Sequence, residues 1–138
     1  MRVMVMVKAN EDSEAGVMPS TELLTAMGEY NEELVKAGVM LAGEGLHPSS
    51  KGKRVRFSGT DRSVVDGPFA ETKELIAGFW ILQVKDMDEA VEWVKRSPFR
   101  DNEVEIRKIL DADDFTDSFA AEIAAAEEQL RAQTSTGQ

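Results

Sequence analysis

Val65-Asp66-Gly67-Pro68-Phe69-Ala70-Glu71-Thr72-Lys73-Glu74, running on into Gly78-Phe79-Trp80-Ile81-Leu82, sets a turn directly ahead of an apolar run. Asp-Gly-Pro is turn chemistry: the aspartate side chain accepts from a nearby backbone N–H, and glycine tolerates a positive φ. Gly78 to Val84 then reads as a buried strand, with Trp80, Leu82 and Val84 on one side and Phe79 and Ile81 on the other. Three carboxylates and one ammonium gather in the nine residues Asp66 to Glu74.

Upstream, Val3 to Val7 is apolar at every position, as in a strand buried on both faces. Residues 9–19 are polar and read as a loop. Ser20 is a hydroxyl N-cap, and Leu23, Met27, Tyr30 and Leu34 follow as one helical stripe ending near Gly38. Val39 to Leu46 is a second strand, in which Gly43 and Gly45 signal a bulge or a close backbone approach. Arg54-Val55-Arg56-Phe57 alternates as a half-exposed strand and returns through Gly59 to Ser63-Val64-Val65. Beyond Val84, Asp86 and Glu89 open a helix like a capping box, Ser97-Pro98 stops it, and Val104 to Arg107 alternates as a strand. Phe115, Phe119, Ile123, Ala126 and Leu130 mark a C-terminal amphipathic helix with an acidic outer face and a frayed end from Thr134.

Two β-α-β units sharing one antiparallel sheet make an α+β, ferredoxin-like domain over residues 1–115, followed by an acidic helical tail over 116–138. Two helices cover one sheet face only, whereas two strands are apolar on both. The second face then needs a partner: a second copy packed sheet to sheet, or the C-terminal helix folded back. The narrow stripe of that helix favours the homodimer.

The 138 residues carry a net charge of −10 and no cysteine. Disulfides and thiolate chemistry are excluded, and a nucleic-acid duplex or an anionic membrane is a poor partner. The longest apolar runs are too short to span a bilayer, so a cytoplasmic location is expected. Lys51, Lys53, Arg54, Arg56 and Arg62, against Asp61, form a basic island. Such an island attracts a small anion, although charge runs are more often solvated faces. One histidine and no cysteine leave no metal centre legible, and no cofactor motif is present.

Four runs together are similar to the DGPF, or YCII-related, domain family: Met1 to Ala9, Gly16 to Pro19, Gly45-Leu46-His47-Pro48-Ser49-Ser50, and Asp66 to Leu82. The resemblance implies a dimeric α/β barrel fold. That fold class holds lyases, isomerases and monooxygenases as well as ligand binders, and some family members are linked to sigma factors. The YCII branch pairs a histidine with an aspartate. The one histidine here, His47, does not fall on that branch's position, so the pair is not carried over whole.

Asp66 is a candidate general base and also an ordinary turn residue. A histidine needs little tuning to shuttle protons at neutral pH, which makes His47 a candidate. Lys73 is a candidate for steadying a developing oxyanion, or a structural partner of Glu71 or Glu74. Arg54, Arg56, Glu71 and Glu74 are the candidate substrate contacts. Two functions follow: a lyase or isomerase acting on a small polar or anionic molecule, or a non-catalytic ligand-binding or regulatory dimer. The enzyme requires Asp66, His47 and Lys73 to converge on one pocket.

Overall fold

The computed structural model describes residues 1–136, with the side chains of Lys73, Ser135 and Thr136 outside that description. The chain forms two compact units, Met1–Lys108 and Ile109–Gln138. The first holds a four-stranded antiparallel sheet built from β1 (Arg2–Lys8), β2 (Met40–Gly45), β5 (Ile76–Gln83) and β6 (Val104–Lys108), in the order β2-β5-β1-β6. Two antiparallel β-α-β units interleaved in this way are the ferredoxin-like arrangement that the sequence pattern implies.

Alternation along the strands sorts the two faces. Val3 and Val5 are fully buried, and they stand opposite Leu82 and Trp80 on β5 and, at Val5, opposite Ile106 on β6. Onto this face pack α2 (Thr21–Lys36), through Tyr30 and Leu34, and α3 (Met87–Lys95), through Ala90, Trp93 and Val94. The other face carries Met4 and Met6 opposite Ile81 and Phe79, all half-buried, and receives neither helix.

The expected caps are in place. Ser20 accepts from the Leu23 N–H at 3.1 Å, and Gly38 turns the chain out of α2 at φ 72°. Asp86 accepts from the Glu89 N–H at 2.8 Å, while Glu89 reaches back to the N–H of Lys85, one residue before the cap. That bond and a second from the Trp93 indole hold the Glu89 carboxyl below its ordinary pKa.

Two expectations are corrected. Within residues 9–19 lies a one-turn helix, α1 (Glu11–Glu14), closed by reciprocal bonds between Asn10 and Ser13. The strands β3 (Lys53–Ser58) and β4 (Asp61–Asp66) form a separate two-stranded sheet whose apolar side is not half-buried: Val55, Phe57 and Val64 are 51%, 70% and 63% exposed. They pair only with each other, and the Arg62 guanidinium, 4.5 Å from the Phe57 ring, gives that ring part of its cover.

In the second unit, Asp111 caps a turn at Ala112–Asp114, and Glu128 of α4 (Ser118–Thr136) accepts from the Ala112 N–H at 3.1 Å. The frayed end expected from Thr134 is helical through Thr136; Gly137 and Gln138 lie outside the described residues.

Tyr30, the single tyrosine, donates its hydroxyl to the Trp93 carbonyl at 2.6 Å and so joins α2 to α3. Burial pushes its pKa up to about 12, with Arg96 opposing and Glu33 adding to the rise. The neutral phenol is the form that folding favours. Its contribution to stability is therefore whole below about pH 10 and lost as pH climbs toward 12. Absorbance at ~295 nm reports this one group in the folded chain. Ionisation should come well above pH 10, and Tyr30→Phe should flatten the alkaline decline in Tm; a midpoint near 10 would show that the phenol is solvated.

Candidate functional site: a glycine-floored cavity

Cross-strand pairing places Gly45 of β2 opposite Gly78 of β5, and Gly78 opposite Val7 of β1. Two of three neighbouring positions on the helix-bearing face therefore lack a side chain. One row over, Gly43 faces Trp80, whose indole lies across it: a Cβ there would stand 2.6 Å from the ring. Gly78 sits at a close approach, where a Cβ would press on the Glu44 carbonyl oxygen at 3.0 Å. Gly45 has open space in front of it.

The missing side chains leave a cavity of about 530 Å³, a size suited to a small organic ligand. Its floor is glycine backbone. Its roof is one face of α2, where Leu23, Met27 and Asn31 recur at every fourth residue, and its rim includes Asn10, Asp12 and the segment Val17–Ser20. Asn31 Oδ1 accepts from the Trp80 indole N–H at 2.9 Å, and this holds the aromatic wall. Glu44 and Phe79 also border the cavity, but their strand positions turn their side chains toward the opposite sheet face.

Six of the seven sequence candidates lie elsewhere. Asp66 faces Lys53 across the base of the hairpin and forms an ion pair with it. His47 is exposed in the loop after β2. The Arg54 guanidinium covers the Phe69 ring at 3.8 Å, and Arg56 is exposed on β3. Glu71 and Glu74 are exposed around a turn at Thr72–Glu74. The Lys73 side chain lies outside the described residues. None of Asp66, His47, Arg54, Arg56, Glu71 and Glu74 lines the cavity.

What these runs do is join to each other. Ser49 donates its N–H to Glu14 at 2.9 Å and its hydroxyl to the same carboxylate, while its Oγ accepts from the Phe69 N–H at 3.1 Å. The Gly67 N–H reaches the Gly52 carbonyl at 3.0 Å. The Asp66-Gly67-Pro68-Phe69 turn is thereby fastened to the His47-to-Gly52 loop, and that loop to the end of α1.

Comparison with known proteins decides the family. The model of the YCII-related domain matches residues 1–113, the whole sheet and both of its helices. This chain belongs to the YCII-related domain family. Over 69 residues it is 36% identical to the uncharacterized protein R00369 of Rhizobium meliloti (strain 1021), a match covering 50% of this chain and 56% of that protein. The YCII-related chain spans only about half the length of that relative. Among solved structures it is similar to 5-chloro-2-hydroxyhydroquinone dehydrochlorinase from Burkholderia phenoliruptrix AC1100, in complex with 2,5-dihydroxybenzoquinone. The identity is 17% and the TM-score 0.39, over 78% of this chain and 94% of that one.

The sequence carried signals of the cavity without showing its place. Gly43 and Gly45 announce a close approach in β2. Asn31 adjoins an otherwise apolar stripe on α2. Only the register brings these residues to Trp80, 49 positions from Asn31.

Proposed function

We propose that this YCII-related chain is a small-molecule-binding protein that works as a homodimer, with the glycine-floored cavity as its ligand site. The observation that carries the ligand site is the row Gly45–Gly78–Val7, where two absent side chains leave about 530 Å³ beneath α2. The homodimer follows from the half-buried face of Met4, Met6, Phe79 and Ile81, which two-fold packing of like faces would cover. A second reading, a lyase or isomerase acting on the bound molecule, has Asp12 at the cavity rim as its proton-moving group.

A Cβ at Gly45 meets nothing within 4 Å, and its φ is outside the positive region, so Gly45→Val enters the cavity without displacing backbone. A thermal-shift screen of small metabolites on both proteins tests the site. At a hundredfold excess over Kd a ligand stabilises by about 2.7 kcal/mol, a Tm rise on the order of 5–10 °C. Hits should shift the wild type and leave Gly45→Val unmoved. Hits that shift both equally would place binding outside the cavity.

A further inference from the structure

The polarity of the cavity restricts what it can hold. Among the described residues that line it, none is lysine, arginine or histidine, and the acidic side chain on that side is Asp12. A carboxylate or phosphate brought inside would lose water without gaining a counter-charge from any described lining side chain, which costs far more than the bonds it could keep. The basic island that would welcome an anion sits on the hairpin and, at Lys51, on the loop leading into it, at residues that do not line the cavity.

Of the three asparagines that line the cavity, Asn10, Asn31 and Asn102, two have their amide orientation fixed by a hydrogen bond. The indole N–H of Trp80 only donates, so Asn31 must turn its carbonyl oxygen to it, leaving the Nδ2 amide as the group Asn31 can offer a ligand. At Asn10 the carbonyl oxygen accepts from the Ser13 backbone N–H at 2.8 Å, which again leaves the amide nitrogen. Both amides are thus held in place as donors. Around them the surfaces are apolar: Val7, Leu23, Met27 and Met18, with Trp80 as the aromatic wall. The floor is the backbone of Gly45 and Gly78, flat because no Cβ stands on it.

We infer that the cavity binds an uncharged, flat organic molecule carrying a carbonyl or hydroxyl oxygen, seated on the Gly45–Gly78 floor with that oxygen accepting from the Asn31 amide. This rests on the cavity being the ligand site. The sequence left a polar or an anionic ligand open; the donors and apolar walls favour the uncharged of the two.

The test uses two naphthalene dyes of similar size that fluoresce on leaving water: prodan, an uncharged ketone, and ANS, a sulfonate anion. Each is titrated into the full chain and into Gly45→Val, and the signal lost in the variant is the cavity signal. Prodan should show that signal, and ANS should bind the cavity at least tenfold more weakly or not at all. Asn31→Asp keeps an oxygen for the Trp80 N–H but replaces the amide donor by a carboxylate. It should weaken prodan about tenfold or more, the scale of one lost hydrogen bond to a ligand, with an unchanged circular dichroism spectrum. ANS binding as tightly as prodan with the same sensitivity to Gly45→Val would keep the site and overturn the ligand class. Prodan binding indifferent to Asn31→Asp would overturn the role of the amide. If Gly45→Val removes no signal from either dye, the ligand-site reading itself fails.

Discussion

Gly67→Ala is expected to cost about 3 kcal/mol or more, at the severe end of single substitutions. The φ of Gly67 is not in the left-handed region, so the cost argued here is steric. An added Cβ would overlap the Ser49 carbonyl oxygen and carbon and press on the Gly52 carbonyl at 3.3 Å. These are backbone atoms, so no rotamer change relieves the overlap. The two loops must part, which breaks the Gly67–Gly52 bond and pulls Phe69 from Ser49. Denaturant unfolding of the variant measures the loss. Gly28→Ala is the control: that glycine lies inside α2, a Cβ there meets nothing within 4 Å, and alanine should stabilise by roughly 0.5–1 kcal/mol. A Gly67→Ala protein as stable as the wild type would mean that the two loops are not seated against each other.

Ile81→Lys is expected to turn a dimer into a monomer. Ile81 stands opposite Met4 on one side and Ala42 on the other, in the middle of the sheet face that carries neither helix. Each apolar side chain buried there stabilises the pair by an amount on the order of 1.5–3 kcal/mol before association costs. An ammonium placed at the centre of a two-fold interface appears twice, close to its own symmetry mate, with the uncharged Met4 and Ala42 directly opposite it on β1 and β2. Dissociation should weaken Kd by a factor of at least about 100. Light scattering after gel filtration should give the wild type at twice 15.2 kDa and the variant at 15.2 kDa, with equal helix content. A wild-type particle of 15.2 kDa would dispose of the homodimer and leave the cavity reading untouched.

Local pattern made the elements of the sheet domain legible. The apolar run of β1, the Ser20 cap, the α2 stripe and the Gly38 exit each depend on neighbours within a few residues. The exposure of the hairpin's apolar side is not legible, because alternation distinguishes two faces but does not say which one meets a core; Val55 stands opposite Val64, and an arginine lies over Phe57. The cavity was illegible for a different reason. It is made of missing atoms, and an absent side chain at Gly45 matters only because the register sets Gly78 beside it. The Asp66-to-Glu74 run drew attention as chemistry. In the folded chain Gly67 and Phe69 serve as fasteners through Ser49 and Gly52, partners at least fifteen positions away along the chain and invisible to any window.

The indole that closes the cavity is also a built-in optical gauge. The chain has two tryptophans, and the second, Trp93, is bonded through its ring nitrogen to Glu89 on α3, away from the glycine floor. With Trp93→Phe, ultraviolet emission from the protein would come from one chromophore, Trp80. Its colour would track whether water or a guest molecule lies against it, so occupancy could be followed without attaching a label.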